Sequence, residues 1–267
     1  VQLQEFWEKG NSVTNDAEYP DLIESFLNDA EFKNFRRNIY YNKRVETATT
    51  YEEGRRYIEI LDSIWSEWKF DLEFFRKADQ VGNPYVFDYG EYGWFSPKTL
   101  QYVMELGEIR RVSSYVEQAE NIVEIGGGYG SLCRMISIFG KVKNYTIYDI
   151  PPVLKLIQKY LDNYDDVKGN IILEKSPVGN TKIFDFLISN NAFCELSPAL
   201  QAEYMQWVVK NSKHGFMLYS PLGNMKFGDG LSISKLLYEL PDGAICCPQF
   251  ESSDKKAHWH EICIITW

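Results

Sequence analysis

The chain has only three histidines in 267 residues and no excess of positive charge: 28 lysines and arginines face 38 acidic residues, a formal net charge of -10. Polyanion binding is driven mainly by cations, so this balance disfavours a long phosphate-tracking surface and bulk nucleic acid as a partner. The five cysteines, Cys133, Cys194, Cys246, Cys247 and Cys263, show no CxxC spacing and make an odd total, which argues against a disulfide framework. Most lie in apolar runs and read as reduced core thiols of a cytoplasmic protein. No stretch approaches the roughly 18 consecutive apolar residues of a membrane span, and no basic-then-apolar signal peptide opens the chain. It begins at Val1 without methionine, which leaves room for an upstream segment.

What is present is a composition 45% hydrophobic and 15% aromatic, enough for a sizeable core. Two patterns divide it, a helical region over residues 1–110 and an α/β domain over residues 111–267. In the first, Leu22, Ile23, Phe26 and Leu27, then Phe32, Phe35 and Ile39, recur at helical spacing. Tyr57, Leu61, Ile64, Trp65, Trp68, Leu72 and Phe75 form one long amphipathic stripe. Asp79 to Phe95, with Gly82, Pro84, Gly90 and Gly93 among aromatics, reads as turns or a hairpin. Ser96 and Pro97 then start a helix.

From Asn121 short β-rich runs alternate with helical ones. The strand candidates are Ile122–Ile125, Tyr145–Asp149, Ile171–Glu174, Phe184–Ser189 and Phe216–Tyr219, and the helix candidates are Ser131–Phe139, Val153–Leu161 and Pro198–Lys210. That exchange implies a mainly parallel sheet with helices on both faces, which binds ligands at the C-terminal ends of its strands. After a helical pattern at Leu231–Glu239, Ala244–Phe250 and Glu261–Trp267 read as a closing strand pair.

The first of these strands runs into Gly126-Gly127-Gly128-Tyr129-Gly130 and then a helix at Ser131. A dinucleotide turn, G-x-G-x-x-G, needs a third glycine or an alanine where this chain has Ser131. Here an acid, Glu124, precedes the turn instead, giving acid-x-Gly-x-Gly-x-Gly. S-adenosylmethionine has no pyrophosphate but carries an ammonium group, a carboxylate and a ribose. Glu124 suits the ammonium, and Asp149, at the end of the next strand, suits the two ribose hydroxyls. A tight βα turn with Asp149 capping the helix before Pro151 and Pro152 is the structural alternative.

At these residues the chain resembles the class I S-adenosylmethionine-dependent methyltransferases and, within them, the sugar O-methyltransferases associated with bacterial surface polysaccharides. The matching segments are Val123 to Leu132, Tyr145-Thr146-Ile147-Tyr148-Asp149-Ile150-Pro151 and Lys159-Tyr160-Leu161. The resemblance implies a Rossmann-like, doubly wound, seven-stranded sheet with an antiparallel last strand, behind an N-terminal helical extension. It implies that Glu124, Gly126, Gly127, Gly128, Tyr129 and Gly130 hold the amino-acid end of S-adenosylmethionine. Asp149 and Ile150 would hold the ribose, the chain around Ser176 the adenine, and Ser189 and Asn190 would line the methyl-donor site. The acceptor would be a saccharide hydroxyl and the second product S-adenosylhomocysteine.

A sugar hydroxyl has a high pKa, so a positioned base is expected on the loops at the strand ends or the closing hairpin. Glu195 follows the fourth strand and either serves as that base or starts the helix after Ser197. His258 and His260 share one face of an extended chain, and His260 lies nearer the last strand. The pair also has metal-ligand spacing, but no carboxylate cluster accompanies it; Asp165 and Asp166 read as a surface loop and His214 as a helix C-terminal cation. Arg36 and Arg37, in the basic segment Lys33–Arg44, form either a solvated helix face or an anionic acceptor site. Tyr92 and Trp94, in the aromatic loop, and Asn191, after the fourth strand, complete the acceptor candidates.

Overall fold

The computed structural model describes residues 18–220, 231–248 and 263–267. The helices in chain order are α1 (Glu18–Ser25), α2 (Asp29–Phe32), α3 (Ile39–Asn42), α4 (Tyr51–Ile64), α5 (Leu72–Arg76), α6 (Pro97–Val112), α7 (Ser131–Phe139), α8 (Pro151–Leu161), α9 (Pro198–Trp207) and α10 (Ile233–Glu239). The strands are β1 (Phe87–Asp88), β2 (Trp94–Phe95), β3 (Asn121–Ile125), β4 (Asn144–Tyr148), β5 (Asn170–Glu174), β6 (Phe184–Asn190), β7 (Ser212–Tyr219), β8 (Ile245–Pro248) and β9 (Cys263–Thr266). β1 and β2 make the small antiparallel hairpin expected in the aromatic loop.

The other seven strands form one sheet in the order β5-β4-β3-β6-β7-β9-β8. β3 to β7 run parallel, and β9 is antiparallel to both β7 and β8. This is the Rossmann-like, mainly parallel sheet with an antiparallel last strand. From β3 the chain winds outward to β4 and β5, then returns to place β6 on the other side of β3. The β3/β6 boundary is therefore the topological switch point, where a crevice opens beyond the strand C-termini.

Local chemistry explains several boundaries. Ser96 caps α6 by accepting from the Thr99 amide at 3.1 Å, with Pro97 in the first turn. Thr50 and Glu53 form a reciprocal capping box on α4. The stripe from Tyr57 to Phe75 is broken rather than continuous, since α4 ends at Ile64 and a 3-10 turn covers Ser66–Asp71 before α5. The Trp68 indole N–H turns back to donate to Asp62 at 3.0 Å, which the straight helix would not permit. At the N-terminal edge of the sheet, Asn121, Asn144 and Asn170 stand in register. Their amides bond across the strands, at 2.9 Å from Asn144 to Asn121 and 3.5 Å from Asn170 to Asn144.

Alternation along each strand feeds two cores. Ile122, Tyr145 and Ile147 bury against α7, α8 and the leading helices, including Ile23, Phe35, Tyr41, Trp68 and Leu100. Val123, Leu187, Met217 and Ile265 bury against α9 and α10 through Leu200, Tyr204 and Leu236. Each such side chain contributes roughly 1.5–3 kcal/mol of transfer free energy. The division expected after residue 110 falls inside α6, and the first core crosses it. His214 lies within β7, stacked on Tyr115 at 3.5 Å, and is not a helix terminus. Asp166 is no free loop acid, since it holds the buried Arg134 and Lys77.

Candidate functional site

The glycine turn leaves β3 at the switch point. Gly126, Gly128 and Gly130 have φ of 81°, 58° and 94°, a region that side chains other than glycine's disfavour. Gly130 occupies the cap of α7, so the positive end of that helix points at the turn. At Gly126 a Cβ would sit 2.2 Å from the Ala192 methyl of the loop after β6, so only glycine fits.

Asp149 directly follows β4. Its carboxylate accepts from the Gly127 amide at 3.0 Å and from the Ile150 amide at 2.8 Å, which ties the turn and the acid into one unit. Burial pushes its pKa up to about 7 against the pull of these two amides. Glu124 is 2% exposed on the α6-facing side of β3 and accepts from the Tyr145 hydroxyl at 3.0 Å. Burial, reinforced by the charges of Asp149 and Glu105, pushes it up to about 8. Such a group ionises readily only beside a cation, and the turn and the two acids therefore fit a ligand with an ammonium and a vicinal diol.

At the end of β6, Ser189 is fully buried. Its hydroxyl donates to the Ile125 carbonyl and accepts from the Phe193 amide at 3.1 Å, so it fastens the next turn and does not line a cleft. Asn190 donates through Nδ2 to Glu105 at 2.8 Å, while its buried Oδ1 has no partner. Asn191 sits at φ 59°, also with an unpartnered Oδ1. Glu195 is exposed on the 3-10 turn Phe193–Glu195. The Tyr19 hydroxyl of α1 lies in the fields of Asp149 and Glu195, and burial with both charges raises its pKa. Ser176, beyond β5, accepts from the Val178 amide in a local turn.

Three further expected site residues serve the interior instead. Tyr129 is fully buried with its ring edge-on to Phe35, Tyr102 and Tyr160, so its side chain leaves the cofactor turn for the core. Arg36 is also fully buried, on Glu46 at 2.7 Å and Asp79 at 3.2 Å, with Ala78 and Ser96 taking further N–H groups. It is neither a solvated face nor an acceptor cation. Tyr92 stacks on Trp68 and gives its hydroxyl to Asp62 at 2.6 Å. Arg37 is exposed and stacks over Tyr85, and Trp94 is 58% exposed. His258 and His260 lie outside the described residues. Among the described residues no group of three or more His, Cys, Asp or Glu could hold a metal ion.

One face of α6 carries no motif that sequence reasoning would single out. Lys98, Tyr102 and Glu105 are buried there with the half-buried Gln101 between them. The Tyr102 hydroxyl stands 3.1 Å from where a Gly128 Cβ would be, so this face roofs the turn. The available signal was three polar residues at i, i+3 and i+7 on a helix most of whose other positions are also buried.

No protein-family profile matches the chain, and no curated protein matches it. Solved structures do share its architecture. One is the mitomycin 7-O-methyltransferase MmcR, at 12% identity and TM-score 0.42, over 64% of this chain and only 56% of that one. A second is the magnesium protoporphyrin IX methyltransferase ChlM of Synechocystis PCC 6803 with bound SAM, at 9% identity and TM-score 0.45, over 62% and 81%. The N-methyltransferase NodS of Bradyrhizobium japonicum WM9 with S-adenosyl-l-homocysteine is at 14% identity and TM-score 0.46, over 63% and 85%. At such distances the substrates named for those proteins are theirs alone.

Proposed function

We propose that the chain is an S-adenosylmethionine-dependent methyltransferase acting on a hydroxyl of a sugar in a surface polysaccharide or its precursor, in the cytoplasm. The observation that carries the cofactor reading is the joined turn and acid at the switch point: Gly127 bonded to Asp149, with Glu124 buried beside them. Bound there, S-adenosylmethionine supplies a methyl group on a sulfonium. Glu124 takes the ammonium, Asp149 the ribose hydroxyls with the Ile150 backbone, and the chain around Ser176 the adenine. Asn190 and Asn191 present acceptor oxygens at the end of β6. Loss of the acceptor's proton falls to Glu195 or to His260 or His258. Arg37 and Trp94 contact the acceptor, and the sugar itself rests on the resemblance of the turn and the Asp149-Ile150-Pro151 element.

The expected outcome is a rise in melting temperature with S-adenosylmethionine or S-adenosylhomocysteine and none with NAD; a ligand at about a hundred times its Kd adds about 2.7 kcal/mol. A response to NAD alone overturns the reading. Asp149→Ala should lose most of the rise. Radiolabelled methyl transfer to surface-polysaccharide fragments and nucleotide sugars, set against amine acceptors, tests the acceptor class.

A further inference from the structure

Along the buried face of α6 runs an unbroken hydrogen-bonded chain. Lys98 Nζ donates to Gln101 Oε1 at 3.1 Å, Gln101 Nε2 donates to Glu105 Oε1 at 2.9 Å, and Asn190 Nδ2 donates to Glu105 Oε2 at 2.8 Å. Its polarity follows from its two charged members. An ammonium can only donate, so Gln101 must turn its oxygen to Lys98 and its amide hydrogens to Glu105. A carboxylate can only accept, so Asn190 must turn its amide hydrogens to Glu105. The Asn190 oxygen then has one direction left, and there it is buried and unpartnered. With Glu105 ionised, the orientation of this amide is dictated by chemistry, whatever the assignment of its O and N atoms.

We infer that Lys98, Gln101 and Glu105 are positioning residues that hold Asn190 Oδ1 as a hydrogen-bond acceptor in the mouth between β3 and β6, to receive the hydrogen of the methyl acceptor's nucleophilic group. That recipient rests on the methyltransferase reading; the fixed orientation of Asn190 does not. The location favours the acceptor over the amino-acid end of the cofactor, because Asn190 ends β6 whereas the glycine turn and Glu124 belong to β3. An oxygen here orients a hydroxyl or amine hydrogen and so aims the nucleophile's lone pair. Leaving it unmet costs a buried polar group its partner, so the mouth selects for a donor. Burial raises Glu105 and lowers Lys98, and the charge of each opposes that effect on the other.

The chain makes an unusual pair of variants informative. In Glu105→Gln the new amide takes the Gln101 hydrogen on its oxygen and offers its own hydrogens to Asn190, so Asn190 rotates and presents a donor to the mouth. Adding Asn190→Asp to that variant restores an acceptor, since the amide introduced at position 105 can donate to one carboxylate oxygen while the other faces the mouth. In the full chain labelled with nitrogen-15, the Asn190 side-chain amide, identified by its loss in Asn190→Asp, should exchange with water at least tenfold faster in Glu105→Gln. Unchanged exchange in a variant that melts as a folded protein overturns the inferred orientation. With S-adenosylmethionine and the panel of polysaccharide fragments and nucleotide sugars, Glu105→Gln should lower kcat about tenfold or more with unaltered affinity for S-adenosylhomocysteine, and the double variant should recover most of it. Equal activity of wild type and Glu105→Gln, or no recovery in the double variant, overturns the positioning role. Absence of S-adenosylhomocysteine binding by the wild type instead sinks the methyltransferase reading and leaves the exchange result standing.

Discussion

A carboxyl group whose folded-state pKa lies above its unfolded value holds its proton more tightly when folded, so folding is favoured at low pH and loses that contribution as pH rises between the two values. Glu124, raised from 4.5 to about 8 chiefly by burial, behaves in this way. Glu124→Gln keeps an acceptor for Tyr145 and cannot ionise. Its melting temperature relative to wild type should therefore climb from pH 5 to pH 8.5, measured without ligand by differential scanning calorimetry. A flat difference would remove the strain assigned to this acid. Arg36 gives the opposite kind of test. Arg36→Met strands Glu46 and Asp79 in the interior, and loss of one member of a buried ion pair costs about 3–5 kcal/mol. Denaturant unfolding should show that loss, where a surface arginine would show almost none. Arg36 also shows what residue type alone does not reveal: a cation among aromatics looks the same in sequence whether its face meets water or Glu46. Tyr129 is similar, since a motif fixes its backbone place and not the direction of its ring.

The elements from β3 to α9 were legible because strand and helix periods alternate over lengths that propensity resolves, and Ser131–Phe139 matches residue for residue. The broken stripe at Trp65 was not, because the break depends on Asp62 meeting Trp68 and Tyr92. The α6 chain escaped for the same reason, as its last link joins Glu105 to a strand 85 residues away. α1 is the element most open to test. Lys155 ties α1 to α8 through Glu24 at 2.9 Å, and Lys159 of α8 holds the segment that follows α1 through the Leu27 carbonyl and Asp29 of α2. The double variant Lys155→Ala with Lys159→Ala should speed amide exchange in residues 18–32 without moving the main melting transition. In the wild type, S-adenosylhomocysteine should slow that exchange, since Tyr19 lies in the fields of Asp149 and Glu195. No ligand effect on α1 would separate it from the site.

For the whole molecule, the composition pointed correctly to a sizeable core and the sequence pattern to a Rossmann-like sheet, but the change of pattern near residue 110 marks no structural seam. Ile23, Phe35 and Trp68 share a core with Ile122 and Tyr145, and Arg134 of α7 is held partly by the Phe74 carbonyl. A fragment of residues 111–267 should thus lack cooperative unfolding and dispersed NMR signals, whereas an independent domain would retain both.

The asparagine ladder at the opposite edge of the sheet bears on all of this. Parallel strands can slide against one another, and a slip of one residue moves a strand by about 3.3 Å and turns every side chain to the other face. Such a slip of β3 would carry Glu124 from beneath α6 into the apolar layer of α9, and a slip of β4 would pull Asp149 away from Gly127. In the native frame Asn144 bonds Asn121 at 2.9 Å and Asn170 reaches Asn144 at 3.5 Å, pairings that a slip would pull out of line. They act as a phase lock, indexing from one rim of the sheet the atoms that must meet at the other.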